Sequence, residues 1–360
     1  MTGANVPFVP PNGDIETKAV LKRAIEANRH LAELKGTAQI VPNESILINT
    51  LGLQEAKDSS EVENIVTTHD DLYKSALFDD HTGSSAAKEV SRYADALREG
   101  FLFIKKHGTL TLNHIRRIHE ILEGNNEGFR TRPGTTVSNR TTGEVIYTPP
   151  QDGVIIQALM EDLERFINDD SAWDAVALVK MAIIHHQFES IHPFYDGNGR
   201  AGRIVNILYL VLKDLLQIPV LYLSRYIIRN KTDYYDLLQS VREDGNWEPW
   251  ILFMLDSVIA TSLQTITIIN SIKSTMMDYK HRIRAEHSRI YSQDLINALF
   301  QHPYTRITFL QEALGVSRQT ASQYLKRLTK AGFLTEHKVG RNNYYVNTPL
   351  VRIFTDVSGE

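Results

Sequence analysis

Apolar residues recur at three- and four-residue intervals through most of this chain, the spacing of one face of an α-helix. Ala19, Leu21, Ala24, Ile25, Leu31 and Leu34 predict a helix over residues 15–35, stopped at Gly36, with Pro42 opening the next element. That element, 46–67, starts apolar and turns polar at Lys57-Asp58-Ser59-Ser60-Glu61. A loop at 81–85 precedes a stripe of Val90, Tyr93, Ala94 and Leu97, and Thr111 can cap a helix carrying Leu112, Ile115, Ile118, His119 and Leu122. Ile155, Leu159, Leu163 and Phe166 mark another helix over 154–168. Two segments, 175–188 and 204–216, are apolar almost all round, which makes them the central helices.

The helical pattern breaks at 124–150, where Gly124, Gly128, Pro133, Gly134, Gly143, Pro149 and Pro150 forbid a helix of any length. Two short runs, 135–138 and 144–148, flank a polar turn at 139–143, the pattern of a β-hairpin. Residues 247–255 are apolar again, and 256–288 read as one helix, strongly charged at 280–287, that bridges two domains. Beyond it, 295–300, 307–313 and 318–330 predict three short helices, and 333–347 a hairpin turning at Gly340. That is the outline of a winged helix-turn-helix. The fold expected is mainly α, divided as an N-terminal helical region 1–95, a core 96–255, a linker helix 256–288 and a C-terminal domain 289–360.

Composition adds limits. At 360 residues, 42% hydrophobic and 23% charged, the chain can bury a large core. A net charge of −4 argues against a protein coated in nucleic acid, but residues 289–348 hold eight Lys and Arg against three acids. Arg318, Gln319 and Gln323 could reach base edges from the third short helix, giving DNA as one partner and another protein as the alternative. The absence of cysteine excludes disulfides and thiolate metal sites. Residues 1–14 lack the charged and apolar regions of a leader. No apolar run is expected to reach membrane-spanning length, Lys213 and Asp214 interrupting the longest candidate. The expected location is cytoplasmic, with no membrane partner.

Polar chemistry concentrates in the link between the central helices, His192-Pro193-Phe194-Tyr195-Asp196-Gly197-Asn198-Gly199-Arg200-Ala201-Gly202-Arg203. Glycines let the backbone approach an anion closely. A helix beginning near Asn198 aims free N–H groups and its positive dipole end at that anion. Arg200 and Arg203 share one face of such a helix. His192 stands at the mouth as a base, and Asp196 offers oxygen to a hard cation. The stretch reads as a polyphosphate cradle. No Gly-Lys-Ser/Thr follows the glycines, so a Walker-type loop fits poorly.

These residues match, at every specified position, the signature of the Fic (Fido-fold) family, His-x-Phe-x-Asp/Glu-Gly-Asn-Gly-Arg-x-x-Arg, and the chain resembles that family over roughly residues 1–255. The resemblance implies a Fic helical core with a hairpin flap, and a protein adenylyltransferase that moves AMP from ATP onto a Ser, Thr or Tyr hydroxyl of a target protein. It implies His192 as general base and Asp196 as ligand of Mg²⁺. Gly197, Asn198, Gly199, Arg200, Ala201, Gly202 and Arg203 would hold the phosphates, and Phe194 would anchor the loop in the core. Adenine contacts are expected after the motif helix, from Arg229 and Tyr235. A related type with lysine in place of Gly199 transfers the terminal phosphate, so the glycine favours nucleotidyl transfer.

Upstream, Ser59-Ser60-Glu61-Val62-Glu63-Asn64 resembles the family's inhibitory motif, Ser/Thr-x-x-x-Glu-Gly/Asn. Read plainly it is a solvated acidic helix end. By resemblance, Ser59 and Glu63 share a helix face and Glu63 pairs with Arg203, keeping that arginine from the γ-phosphate. The same glutamate serves some relatives in removing AMP. The hairpin at 129–150 stands where the family's flap clamps an extended target segment, although the residues alone fit an ordinary surface hairpin. Self-modification is a further expectation of this reading, and a homodimer one of the C-terminal winged-helix outline. The competing class is a DNA-binding transcriptional regulator whose Fic core only senses nucleotide.

Overall fold

The computed structural model describes residues 3–77, 84–138, 142–171, 173–339 and 342–358. Parts of three expected features, the loop at 81–85, the turn at 139–143 and the turn at Gly340, lie outside them. Among the described residues the chain forms fifteen helices and five short strands. α1 (Lys18–Ala38) starts at Thr17, whose hydroxyl accepts the Val20 N–H, and it runs through Gly36 rather than stopping there. α2 (Glu44–Val62) is capped by Asn43, and α3 (His69–Leu77) follows. The element expected over 46–67 ends early, at Val62, because Asn64 turns left-handed (φ 62°), and α3 lies beyond it.

α4 (Ser85–His107) and α5 (Leu112–Glu123) each end on a left-handed glycine, Gly108 and Gly124. Thr111 and His114 form a reciprocal cap at the start of α5. The hairpin β1 (Val137–Ser138) and β2 (Val145–Tyr147) is antiparallel and shorter than the sequence suggests. α6 (Gly153–Asn168) precedes the two central helices, α7 (Ala177–Ile191) and α8 (Asn198–Leu212), which lie side by side. Every residue of α7 from Leu178 to Ile191 is buried. Gly100 on α4 lets α8 come close: a β-carbon there would collide with Leu208 and lie 3.0 Å from Ile118 Cδ1.

α9 (Leu223–Arg229) and α10 (Lys231–Asp244) lead into α11 (Trp247–Glu286), one helix of 40 residues. It runs unbroken through residue 255, where the sequence pattern placed a boundary, just as α4 runs through residue 95. By length and composition α11 could cross a membrane, which corrects the expectation that no apolar run reaches that length; dividing the stretch at 255 had concealed it. Most of that stretch is buried in packing. α1 lies along it, α7, α9 and α10 meet its first half, and Trp250 donates to the Ala182 carbonyl at 2.9 Å.

The last part comprises α12 (Gln293–Gln301), β3 (Tyr304–Thr305), α13 (Ile307–Leu314), α14 (Arg318–Lys330), β4 (Thr335–Val339), β5 (Asn342–Val346) and α15 (Thr348–Ser358). The three short helices and the hairpin are those expected; β3 and α15 are additions, and the sheet order is β3-β5-β4. This unit is not suspended from α11 alone. α12 packs on α2, and Tyr304 donates to Asp70 of α3 at 2.7 Å while its ring lies 5.3 Å from that of Tyr73.

Candidate active site

The loop 192–197 joins α7 to α8 and is folded by its own side chains. Asn198 accepts the Phe194 N–H at 2.8 Å and donates to the Phe194 carbonyl at 2.9 Å, closing a small ring. Phe194 is fully buried and stacks on His119, ring centroids 3.6 Å apart. Burying such a ring is worth roughly 1.5–3 kcal/mol, so the loop is anchored as expected. His119 interrupts the apolar stripe of α5, and its Nε2 donates to the Asp196 carbonyl at 2.9 Å. Nothing but that interruption in the stripe signalled it.

The N-cap of α8 is Gly197, which is left-handed (φ 71°) and supplies no side-chain cap. A β-carbon there would collide with Glu123 Oε1. The amides of Asn198, Gly199 and Arg200 in the first turn have no carbonyl behind them in the helix and face forward. Ala201 differs: its N–H donates to the Gly197 carbonyl at 2.9 Å, and Ala201 and Gly202 are buried inside the helix. These two, expected among the phosphate ligands, serve packing instead, because the helix begins three residues before them. Gly202 gives room to Glu189, Phe188 and His185 of α7.

The space before the first turn is taken by Glu63. A β-carbon on Gly199 would collide with Glu63 Oε1 and sit 3.0 Å from Arg203 Nη1, so only glycine admits this approach. Arg203, fully buried, donates from Nη2 to Glu63 Oε1 at 2.9 Å, and from Nε and Nη2 to the Ser59 hydroxyl (2.7 Å) and carbonyl (2.9 Å). Ser59 and Glu63 do share one face. Ser59 and Ser60 are wholly buried, which rules out a solvated acidic helix end. Burial opposes the charge of Arg203, but Glu63, Tyr234, Tyr93 and Glu189 hold its pKa above the ordinary value.

Arg200 points elsewhere. It is buried and pairs with Glu123 at 2.9 Å and Glu89 at 3.4 Å, two carboxylates that the sequence did not single out. Asp196 is exposed; one carboxylate oxygen accepts the Gly197 N–H at 2.7 Å. No three His, Asp or Glu among the described residues converge as a metal cage. A lone open carboxylate suits a Mg²⁺ that takes its other oxygens from phosphates and water.

His192 caps α7 in a left-handed conformation (φ 51°, ψ 59°), and its Nδ1 has no hydrogen-bond partner among the described residues. Burial, then the charges of Arg242 and Arg130, push its pKa down to about 4, so at neutral pH the imidazole is uncharged. Glu189, beside Arg203 and Glu63, is pushed up to about 7 by burial. Arg229 is exposed at the end of α9, with no hydrogen bond or ion pair to the site among the described residues. Lys231, two residues on, reaches Asn64, next to Glu63, at 3.1 Å. Tyr235 is 40% exposed, its ring edge-on to Tyr234, which accompanies His185 in the core. The hairpin presents Val145 and Ile146, each about half exposed, along β2.

Two profiles of the Fic/DOC family match this chain, the N-terminal one over residues 21–102 and the Fic one over 109–210. A third, described as the C-terminal domain of protein adenylyltransferase SoFic-like proteins, matches 275–350. Protein adenylyltransferase Fic of Aedes aegypti is 25% identical over 241 residues, which is 67% of this chain and 42% of that protein. Protein adenylyltransferase fic-1 of Caenorhabditis elegans is 26% identical over 155 residues, 42% of this chain and 28% of that one. The chain thus spans less than half the length of these relatives. The crystal structure of a Fic family protein from Desulfovibrio desulfuricans superposes with a TM-score of 0.58 at 19% identity, covering 94% of this chain and 98% of that one. Fic-1 from Caenorhabditis elegans gives 0.52 at 17% identity, covering 71% and 73%. With the motif loop, the helix that follows it and the glutamate in front of it, this chain belongs to the Fic/DOC family.

Proposed function

We propose that this chain is an autoinhibited protein adenylyltransferase, moving AMP from ATP to a Ser, Thr or Tyr hydroxyl of a protein, itself included. The observation that carries the reading is Glu63: a carboxylate held against Gly199 and Arg203 supports an anion site at the start of α8. A triphosphate would take that place. The acceptor hydroxyl loses its proton to the neutral His192 imidazole, and its oxygen attacks the α-phosphorus. The α–β bridging bond breaks, and pyrophosphate leaves. Base catalysis of this kind is worth roughly 10²–10⁴ in rate. The first-turn amides stabilise charge on the transferring group, and Arg203 grips the γ-phosphate once Glu63 has left. Asp196 would hold Mg²⁺, which neutralises phosphate charge. The half-exposed edge of β2 would receive the acceptor segment by strand addition. Incubation with α-labelled ATP tests the reading: label should pass to protein, and His192→Ala should abolish it. Labelled GTP, CTP and UTP in parallel test the base.

A second reading, a DNA-binding regulator with a nucleotide-sensing core, rests on one observation. α14 turns Arg318, Gln319, Gln323, Lys326, Arg327 and Lys330 to solvent, with no acidic residue between them. Its test is duplex DNA titrated at several salt concentrations; a contact by Lys326 would make Lys326→Ala reduce the salt slope by about one.

A further inference from the structure

The C-terminal turn of α7 carries His192, and its outer carbonyls have no partner within the helix. Five successive ones are met from outside. Arg242 of α10 donates to the Glu189 carbonyl at 3.2 Å, and Tyr147 of β2 to that of Ser190 at 2.8 Å. Arg130 donates from Nη2 to Ile191 (3.1 Å), from Nε to His192 (2.7 Å) and from its backbone N–H to Pro193 (2.8 Å). Arg242 also lies over the Tyr147 ring, 4.0 Å from its centroid. The two residues after Arg130 are fixed to the same loop, since Thr131 and Arg132 donate their N–H groups to the Tyr195 hydroxyl at 3.2 and 3.1 Å.

Neither arginine forms a salt bridge among the described residues, and Arg130 is completely buried. A buried cation without a counter-ion is costly, and a glycine or asparagine would cap the turn without it. A left-handed histidine is costly too, and lasts only where its surroundings leave no alternative. We propose that Arg130 and Arg242 are positioning residues that fix His192 in its left-handed conformation and join it rigidly to the target-binding hairpin through Tyr147 and Tyr195. The proposal rests on reading His192 as the base. The charged groups facing His192 are Arg242 from α10, Arg130 from the segment before the hairpin, and Glu63 from α2, which acts in the opposite sense. Burial first, and then the two arginine charges, keep the ring unprotonated over the physiological range. A base-bearing turn and an acceptor-bearing strand held by one set of donors keep the acceptor oxygen and the imidazole in register.

The test uses the full chain carrying Glu63→Gly, with Arg130→Met, Arg130→Lys and Arg242→Met added singly. His192 is titrated by the NMR signals of its ring, without nucleotide. Each Met variant should raise its pKa toward the ordinary value near ~6.5, while Arg130→Lys, which keeps the charge, should not. In the transfer assay the Met variants should lose about 10²-fold in kcat with KM for ATP little changed, and the acid limb of kcat should move up with the NMR value. Arg130→Lys should keep the acid limb but lose kcat, since one ammonium cannot span both carbonyls. An unchanged His192 titration in both Met variants, with their circular dichroism intact, overturns the clamp. That result is readable even if no AMP transfer is found, so the two readings fail separately.

Discussion

Glu63→Gly isolates the inhibitory contact. Glu63 offers Arg203 one charge-assisted hydrogen bond at 2.9 Å, and the arginine is buried, so the bond is only weakly screened. Hydrogen bonds to charged groups contribute about 1.5–3 kcal/mol. Under the proposed function the same guanidinium would serve the γ-phosphate, so that energy would stabilise only the silent arrangement. Removing it should raise transfer about 10- to 150-fold, each 1.4 kcal/mol being a factor of ten. Arg203 stays aligned, since its two bonds to Ser59 remain. The assay is self-labelling with α-labelled ATP at a nucleotide concentration well below saturation. Glu63→Gln, which keeps a neutral hydrogen bond, should fall between the two. The reasoning fails if Glu63→Gly raises labelling less than about twofold. It fails equally if the added His192→Ala leaves the increase in place.

Three further outcomes follow from the geometry. Gly199→Ala, made in the Glu63→Gly background so that no carboxylate is struck, should lower transfer about tenfold or more by closing the approach to the first-turn amides, read in the same assay. Glu189→Gln should raise the melting temperature at pH 8 and not at pH 4. The folded pKa of about 7 exceeds the unfolded value of about 4.5, so the native carboxylate destabilises the fold progressively as pH rises through that window and amide substitution removes the effect. Phe194→Ala should cost about 3–5 kcal/mol in denaturant unfolding, because it vacates a fully buried site against His119 and Phe129; a loss under 1 kcal/mol would show the loop is not anchored there.

Much of this was legible along the chain. The elements were visible wherever caps and periodicity agreed, as at Thr111 and at the apolar α7 and α8. The Glu63–Arg203 pair was legible through the resemblance of both motifs to those of the Fic family; spacing alone put Ser59 and Glu63 on one helix face and named no partner. Boundaries inside continuous helices were not: Gly36 is solvent-facing, where a glycine weakens a helix without ending it, and α11 changes composition at 255 because it changes neighbours. Arg130, Arg242, Glu89 and Glu123 gave no signal, since a buried charge and a surface charge are the same letter until the fold decides what surrounds them. The resemblance implies Ala201 and Gly202 as ligands along with the rest of the motif, whereas α-helical geometry frees only the first turn's amides.

One contact of the fold has a thermodynamic consequence. The helix that delivers Glu63 is also the wall on which α12 rests, and the residues just beyond it, through Asp70 and Tyr73, hold β3. A nucleotide that displaces the glutamate and a partner that lifts away the C-terminal unit therefore draw on one shared surface. Reciprocity makes the exchange even-handed: by whatever factor such a partner tightens nucleotide binding, the nucleotide tightens the hold of that partner.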